Sequence, residues 1–260
     1  MKRLVYQVSV GKPSRLYKHC IASVDEYCKQ HHIDHIVQTQ PILRIKPNTF
    51  LTNRSKESYE KYGGFLPIYE KENAFGYFDR YDQIAIIDAD IWIRQNSPNI
   101  FDELDNTIEF AGVVEREMPL TQKYFDKITN YSRMQYSSLN HVDWKWNQHG
   151  AEFYNMGMML MNNSIAKYLN GETPLEFLRR SRFEKFIDGM GAWKWSTDQT
   201  LLNTWVKEEK MKTKNLNWKW NALYNAIPND KLKQAHFVHF FHKIVLPHQG
   251  ENIEELMKLV

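Results

Sequence analysis

The sequence predicts an α/β fold with a mostly parallel central sheet flanked by helices. Three observations carry this prediction. Strand-like apolar runs alternate with helical stretches along the N-terminal third, the pattern of right-handed βαβ crossovers. The most apolar run, Ile84-Ala85-Ile86-Ile87, reads as a buried strand. That run ends on Asp88-Ala89-Asp90, and parallel sheets hold their ligands beyond the carboxyl ends of their strands.

Each element follows in turn. Leu4 to Val10 is a first strand, closed by Gly11-Lys12-Pro13, and Ser14 caps a helix running to about Gln30. His35 to Thr39 is a second strand, stopped by Pro41. Residues 47–80 read as mostly helical, broken at Gly63-Gly64 and Pro67. Gln83 to Asp88 is the third strand. Asn96-Ser97-Pro98 makes a turn, Phe101 to Leu104 a short helix, and Glu109 to Val114 a strand. Residues 115–150 are polar and aromatic with little periodicity, and so long a segment in a compact fold points to function. Phe153 to Met161 is a strand, Asp198 to Lys207 a helix, His236 to Phe241 a late strand and Glu251 to Leu259 a terminal helix. No linker or low-complexity tract divides the chain, so residues 1–260 are expected to form one domain.

Composition narrows the function. The 260 residues are 42% hydrophobic and 25% charged with a formal net charge of +3, too mild for nucleic acid as the main partner. No apolar stretch approaches the roughly 20 residues of a membrane span, and the start lacks the pattern of a secretory signal. A cytoplasmic location is expected. The sequons Asn53-Arg54-Ser55 and Asn130-Tyr131-Ser132 then carry no meaning. Cys20 and Cys28 lie eight residues apart on one helix, about 12 Å at ~1.5 Å rise per residue, beyond the reach of a disulfide. They are expected to be free, buried thiols.

The Asp-x-Asp end of the third strand brings two carboxylates together beside apolar surface. Uncompensated, they are costly. A hard divalent cation with oxygen ligands is the simplest compensation.

Around this pair a set of features falls in order: Lys71 seventeen residues upstream, Asp88-Ala89-Asp90, Phe153-Tyr154-Asn155-Met156-Gly157, and Thr197-Asp198-Gln199 opening a helix with Asn203. Trp220-Asn221 and a late strand with His236, His239, His242 and Lys243 follow. The set resembles the GT-A fold (Rossmann-like) glycosyltransferases, closest to the family 8 group of glycogenin and galactosyltransferase-like enzymes. The resemblance implies a metal-dependent hexosyltransferase using a nucleotide sugar, UDP-glucose or UDP-galactose, with retention of configuration. Asp88, Asp90 and His239 would hold Mn²⁺ or Mg²⁺. Val8, Ser9 and Val10 would meet the uracil and ribose, and Lys71, Ala89, His242 and Lys243 the remaining donor groups. Asn155, Gly157, Asp198 and Gln199 would line the donor sugar at the reacting carbon. Residues 1–95 would form the nucleotide-binding half and 96–260 the acceptor half with the metal-binding C-terminal strand. The family usually has Gly between the histidine and lysine and Pro after the lysine. Here the run is His239-Phe240-Phe241-His242-Lys243-Ile244, so the metal ligand is either His239 or His242.

Bland alternatives stand beside these roles. Asp-x-Asp can cap a turn, His239 can be a packed core histidine, Asp198 an ordinary helix N-terminal acid, and Lys71 a solvated helix face. Six of the eight tryptophans lie in three Trp-Lys-Trp tripeptides. Trp144 and Trp146 are the foremost acceptor-site candidates, Trp193 and Trp195 follow, and Trp218 and Trp220 read as packing. Two other classes share some of these parts. A nucleotidyltransferase also sets carboxylates and a metal at the end of an α/β sheet, but Gly11-Lys12-Pro13-Ser14-Arg15 is a faint triphosphate loop. A non-catalytic, aromatic-rich carbohydrate-binding protein would need no metal.

Overall fold

The computed structural model describes residues 1–48 and 59–260. Its strands are β1 Arg3–Val8, β2 Asp34–Gln38, β3 Gln83–Ile87, β4 Ile91–Ile93, β5 Phe110–Val114, β6 Tyr154–Asn162, β7 Thr213–Asn215, β8 Ala222–Leu223 and β9 Phe237–His239. The helices used below are α1 Arg15–His31, α2 Gln122–Tyr136, α3 Pro174–Leu178, α4 Ser181–Asp188 and α5 Asp198–Glu208.

Six strands form the central sheet in the order β2-β1-β3-β6-β5-β7. β1 runs parallel to β2 and β3, and β5 parallel to β7. β6 pairs antiparallel with both β3 and β5, so it is the one reversed strand in the sheet. All of its residues are buried, which suits an apolar run at the sheet centre. A smaller sheet, β4-β9-β8, sits at the Asp-x-Asp end. There Ile91 pairs with His239 across the antiparallel β4/β9 ladder. Backbone pairing thus carries the late histidine to the acidic turn.

Helix α1 begins where expected. The Ser14 hydroxyl accepts from the Tyr17 amide at 3.2 Å, and His32 ends the helix in the left-handed region. Its inward face buries Leu16, Cys20, Val24, Tyr27 and Cys28 at helical spacing. Each fully buried Leu or Val contributes about 1.5–3 kcal/mol. Cys20 and Cys28 are free and buried.

Four expectations need correction. Residues 115–150 are not irregular throughout, because α2 occupies Gln122–Tyr136. Its buried positions are Ile128, Ser132, Gln135 and Tyr136. Two of these four are polar, so the inward face leaves no apolar period to read. Residues 47–80 are also less helical than expected. Residues 59–62 are helical, Gly63 and Gly64 break the chain at φ 65° and 93°, and Pro67–Tyr77 is a 3₁₀ segment. Residues 49–58, with the sequon at Asn53, lie outside the described residues. The late strand and terminal helix are shorter than expected, at Phe237–His239 and Ile253–Met257.

Candidate active site

β3 stops at Ile87, and the turn beyond it is held by its backbone. The Asp88 amide donates to the Gly157 carbonyl at 2.8 Å, and the Asp88 carbonyl accepts from Ile91 at 3.1 Å. Gln7, which sequence reasoning missed, donates its amide to the Asp88 carbonyl at 3.2 Å. The Phe240 amide donates to the Asp90 carbonyl at 2.9 Å, locking β9 against the turn. Ala89 is buried between the two acids.

This frame brings His239 to the two carboxylates. Its Nε2 lies 3.7 Å from Asp88 Oδ2 and 3.3 Å from Asp90 Oδ1. One ligand atom from each of Asp88, Asp90 and His239 falls within 4.8 Å of the others. Bonds of ~2.1 Å to a six-coordinate cation put neighbouring ligands about 3 Å apart. Small movements of these side chains therefore suit a divalent ion, and two carboxylates with one imidazole suit Mn²⁺ better than Mg²⁺. Gly157 leaves space for the ring, since a Cβ there would stand 2.3 Å from His239 Cε1.

Electrostatics follow from crowding. Burial opposes ionisation of Asp88, and Asp90 adds to it, so the Asp88 carboxyl is raised despite Lys71. Burial also works against Asp90, yet the His239 imidazolium carries it below the usual range. Burial opposes charge on His239, but Asp90 and then Asp88 outweigh it and raise its pKa.

Lys71 is not a solvated lysine. It is 5% exposed, and its Nζ sits 2.7 Å from Asp88 Oδ1, 2.7 Å from Asp198 Oδ2 and 3.1 Å from the Met156 carbonyl. Burial works against its charge, and Asp198 and Asp88 outweigh that cost. Glu70 anchors the same segment by accepting from Gln38 Nε2 and from the amides of Ile42, Leu43 and Arg44. Glu72 is 1% exposed, and among the described residues no other residue gives either of its oxygens a hydrogen bond. Burial first, then Asp198, pushes its pKa well up.

Asp198 and Gln199 open α5. The Thr197 hydroxyl accepts from the Gln199 amide at 3.2 Å, and Asp198 occupies the first turn. Asp198 is thus a helix N-terminal acid and the partner of Lys71 at once. Gln199 Oε1 accepts from the Met156 amide at 3.2 Å. Asn203 binds both the amide and the carbonyl of Tyr154, fixing α5 to β6.

The side chain of Asn155 is hydrogen-bonded within the protein at both ends. Its Oδ1 accepts from the Gly157 amide and from Asn221 Nδ2, and its Nδ2 donates to Glu115. Glu115 and Asn221 were given no role from sequence. Only the Trp220-Asn221 position in the motif order hinted at the latter. Ser9 is buried with its amide donating to Gln38 at 2.9 Å, while Val8 and Val10, on either side of it, are partly buried. His242 is exposed at φ 64°, a left-handed conformation that explains why glycine suits this position. Lys243 pairs with Glu251 at 2.8 Å.

The tryptophans divide. Trp144 is 1% exposed, with its ring 4.2 Å from that of Tyr136, so it is core rather than an acceptor platform. Trp146 and Trp195 are exposed, Trp193 donates to the Gln135 carbonyl, and Trp220 is buried.

The sheet order, the reversed β6 and the acidic strand end agree with the GT-A fold expected from the sequence. The chain spans 98% of itself and 94% of a galactosyltransferase, LgtC, solved with donor and acceptor sugar analogues, at 12% identity and a TM-score of 0.55. It is similar to mouse xyloside xylosyltransferase 1 at 11% identity over 95% of this chain and all of that one, TM-score 0.52. A glycosyltransferase involved in glycosylation of the major capsid of PBCV-1 aligns over 98% of this chain and all of that one, at 12% identity and TM-score 0.52. No curated protein sequence matches the chain. The profile of Glycosyl transferase family 8 matches residues 10–245, so the chain belongs to that family. It is a glycosyltransferase enzyme, and it acts on a donor and an acceptor. Among the described residues no helix is long and apolar enough to cross a membrane.

Proposed function

We propose that the enzyme transfers a hexose from UDP-glucose or UDP-galactose to a hydroxyl of a carbohydrate or other acceptor, with retention of configuration. Donor hydrolysis is slow when no acceptor is present. The observation that carries this reading is the ammonium of Lys71 bridging Asp88 and Asp198 beside the Asp88-Asp90-His239 triad. It links the candidate cation site to a carboxylate at the start of α5.

The triad would hold Mn²⁺ or Mg²⁺, which acts as a Lewis acid on the diphosphate leaving group. Lys71 fixes the direction of the Asp198 carboxylate through their 2.7 Å ion pair. Asp198 and Gln199 then orient the donor sugar and stabilise positive charge developing at its anomeric carbon. Val8, Ser9 and Val10 supply the nucleoside side at the end of β1, and His242 and Lys243 edge the diphosphate. Residues 1–95 and 96–260 act as nucleotide and acceptor halves of one domain. Two free buried thiols support a cytoplasmic setting.

The test is release of UDP from UDP-glucose and UDP-galactose, with Mn²⁺ and with EDTA. Turnover with Mn²⁺, abolished by EDTA and lowered at least ~100-fold in kcat/KM by Asp90→Asn, is expected. Turnover indifferent to EDTA, or none with either donor, contradicts the reading.

A further inference from the structure

Behind His239 runs a buried chain of amides. His239 Nδ1 lies 3.1 Å from Asn221 Oδ1, Asn221 Nδ2 donates to Asn155 Oδ1 at 2.9 Å, and Asn155 Nδ2 donates to Glu115 Oε2 at 3.0 Å. Asn221 is 0% exposed, Asn155 9% and Glu115 5%, so water does not substitute for these partners. Tyr124 donates its hydroxyl to the other Glu115 oxygen at 3.0 Å.

The direction of the chain is set at one backbone group. The Gly157 amide donates to Asn155 Oδ1 at 3.1 Å. A backbone N–H is a donor only. It therefore forces oxygen toward Gly157 and turns Asn155 Nδ2 toward Glu115. With Oδ1 of Asn155 presented, Asn221 must offer Nδ2 there. Its own Oδ1 is left facing the imidazole. An acceptor at that point requires a proton on Nδ1.

We propose that Asn221 is a positioning residue that holds a proton on Nδ1 of His239 and so reserves Nε2 for the divalent cation. The proposal rests on the metal reading given above. Asn155 and the Gly157 amide orient Asn221, and Glu115 closes the far end. The arrangement accounts for a motif in which Asn155, Gly157, Asn221 and His239 come from β6, the β8 approach and β9. It also gives Asn155 a duty in orienting Asn221. Partners of this kind behind a metal-bound histidine are worth about 10–100-fold in metal affinity.

The experiment measures Mn²⁺ affinity by loss of the free-ion paramagnetic resonance signal, alone and with UDP, for wild type, Asn221→Ala and Asn221→Asp. Asn221→Ala is expected to bind Mn²⁺ about 10–100-fold more weakly. Asn221→Asp should lose less affinity than Asn221→Ala, because one carboxylate oxygen still accepts from Nδ1 although the other lacks the donor that Asn155 Oδ1 takes from Asn221 Nδ2. Equal losses in both variants, or none in Asn221→Ala, overturn the proposal alone. A wild type that binds no Mn²⁺ in either condition overturns it together with the metal reading. If Asn221→Ala does not fold, ¹⁵N resonances of histidine in the Mg²⁺-loaded wild type decide. A protonated Nδ1 with Nε2 ligated supports the proposal, and the reverse tautomer overturns it.

Discussion

Glu70, Lys71 and Glu72 show how three adjacent side chains divide one segment's work. Glu70 takes four donors and anchors the chain, and Lys71 satisfies two acids at 2.7 Å each. Glu72 is left buried without a hydrogen bond from another of the described residues. Its pKa is raised in the fold, so the folded chain binds this proton more tightly than the unfolded one. The group therefore favours folding at low pH and loses that contribution as pH rises from about 4.3 through its folded value. Glu72→Gln removes that loss. The difference in Tm between the variant and wild type should widen with pH and reach about 2–4 °C or more at pH 8. A difference that stays flat from pH 5 to pH 8 contradicts this account.

At the scale of elements, the site depends on β6 and β9 approaching closely. Gly157 on β6 faces the His239 ring, and a methyl group there would lie 2.3 Å from Cε1. Gly157→Ala should displace the imidazole and weaken Mn²⁺ binding at least ~10-fold. The β6 pairing with β3 keeps the fold, so Tm should fall by no more than about 6 °C. Unchanged Mn²⁺ affinity in a titration would show that the ring has room elsewhere. Much of this was legible in the chain. Ser14 announced α1, Thr197-Asp198 announced α5, and the apolar run ending on Asp88 announced β3. The small sheet β4-β9-β8 was not legible, since its strands span only two or three residues and its pairings join distant segments. Helix α2 was hidden because Ser132 and Gln135 replace apolar residues on its inward face.

At the scale of the molecule, a sheet with one reversed strand gathers distant chain segments at a single rim. Asp88 leaves β3, Gly157 sits in β6, Asp198 opens α5 and His239 ends β9. The carboxylates were visible from sequence because acids beside apolar strands are costly. The approach of His239, and not His242, to the two carboxylates was not, because it follows from the Ile91–His239 register and the left-handed turn at His242. The amide chain through Asn155 and Asn221 was likewise invisible, since its members are far apart in sequence and polar inside the fold.

The central claim is that this rim is a cation-dependent nucleotide-sugar clamp. Calorimetric titration of UDP, UDP-glucose and UDP-galactose, with Mn²⁺ and with EDTA, tests it most directly. Binding of UDP and at least one UDP-sugar that is tighter by ~10-fold or more with Mn²⁺ is the predicted result. No binding of any of the three, or binding that is the same in EDTA, would contradict it.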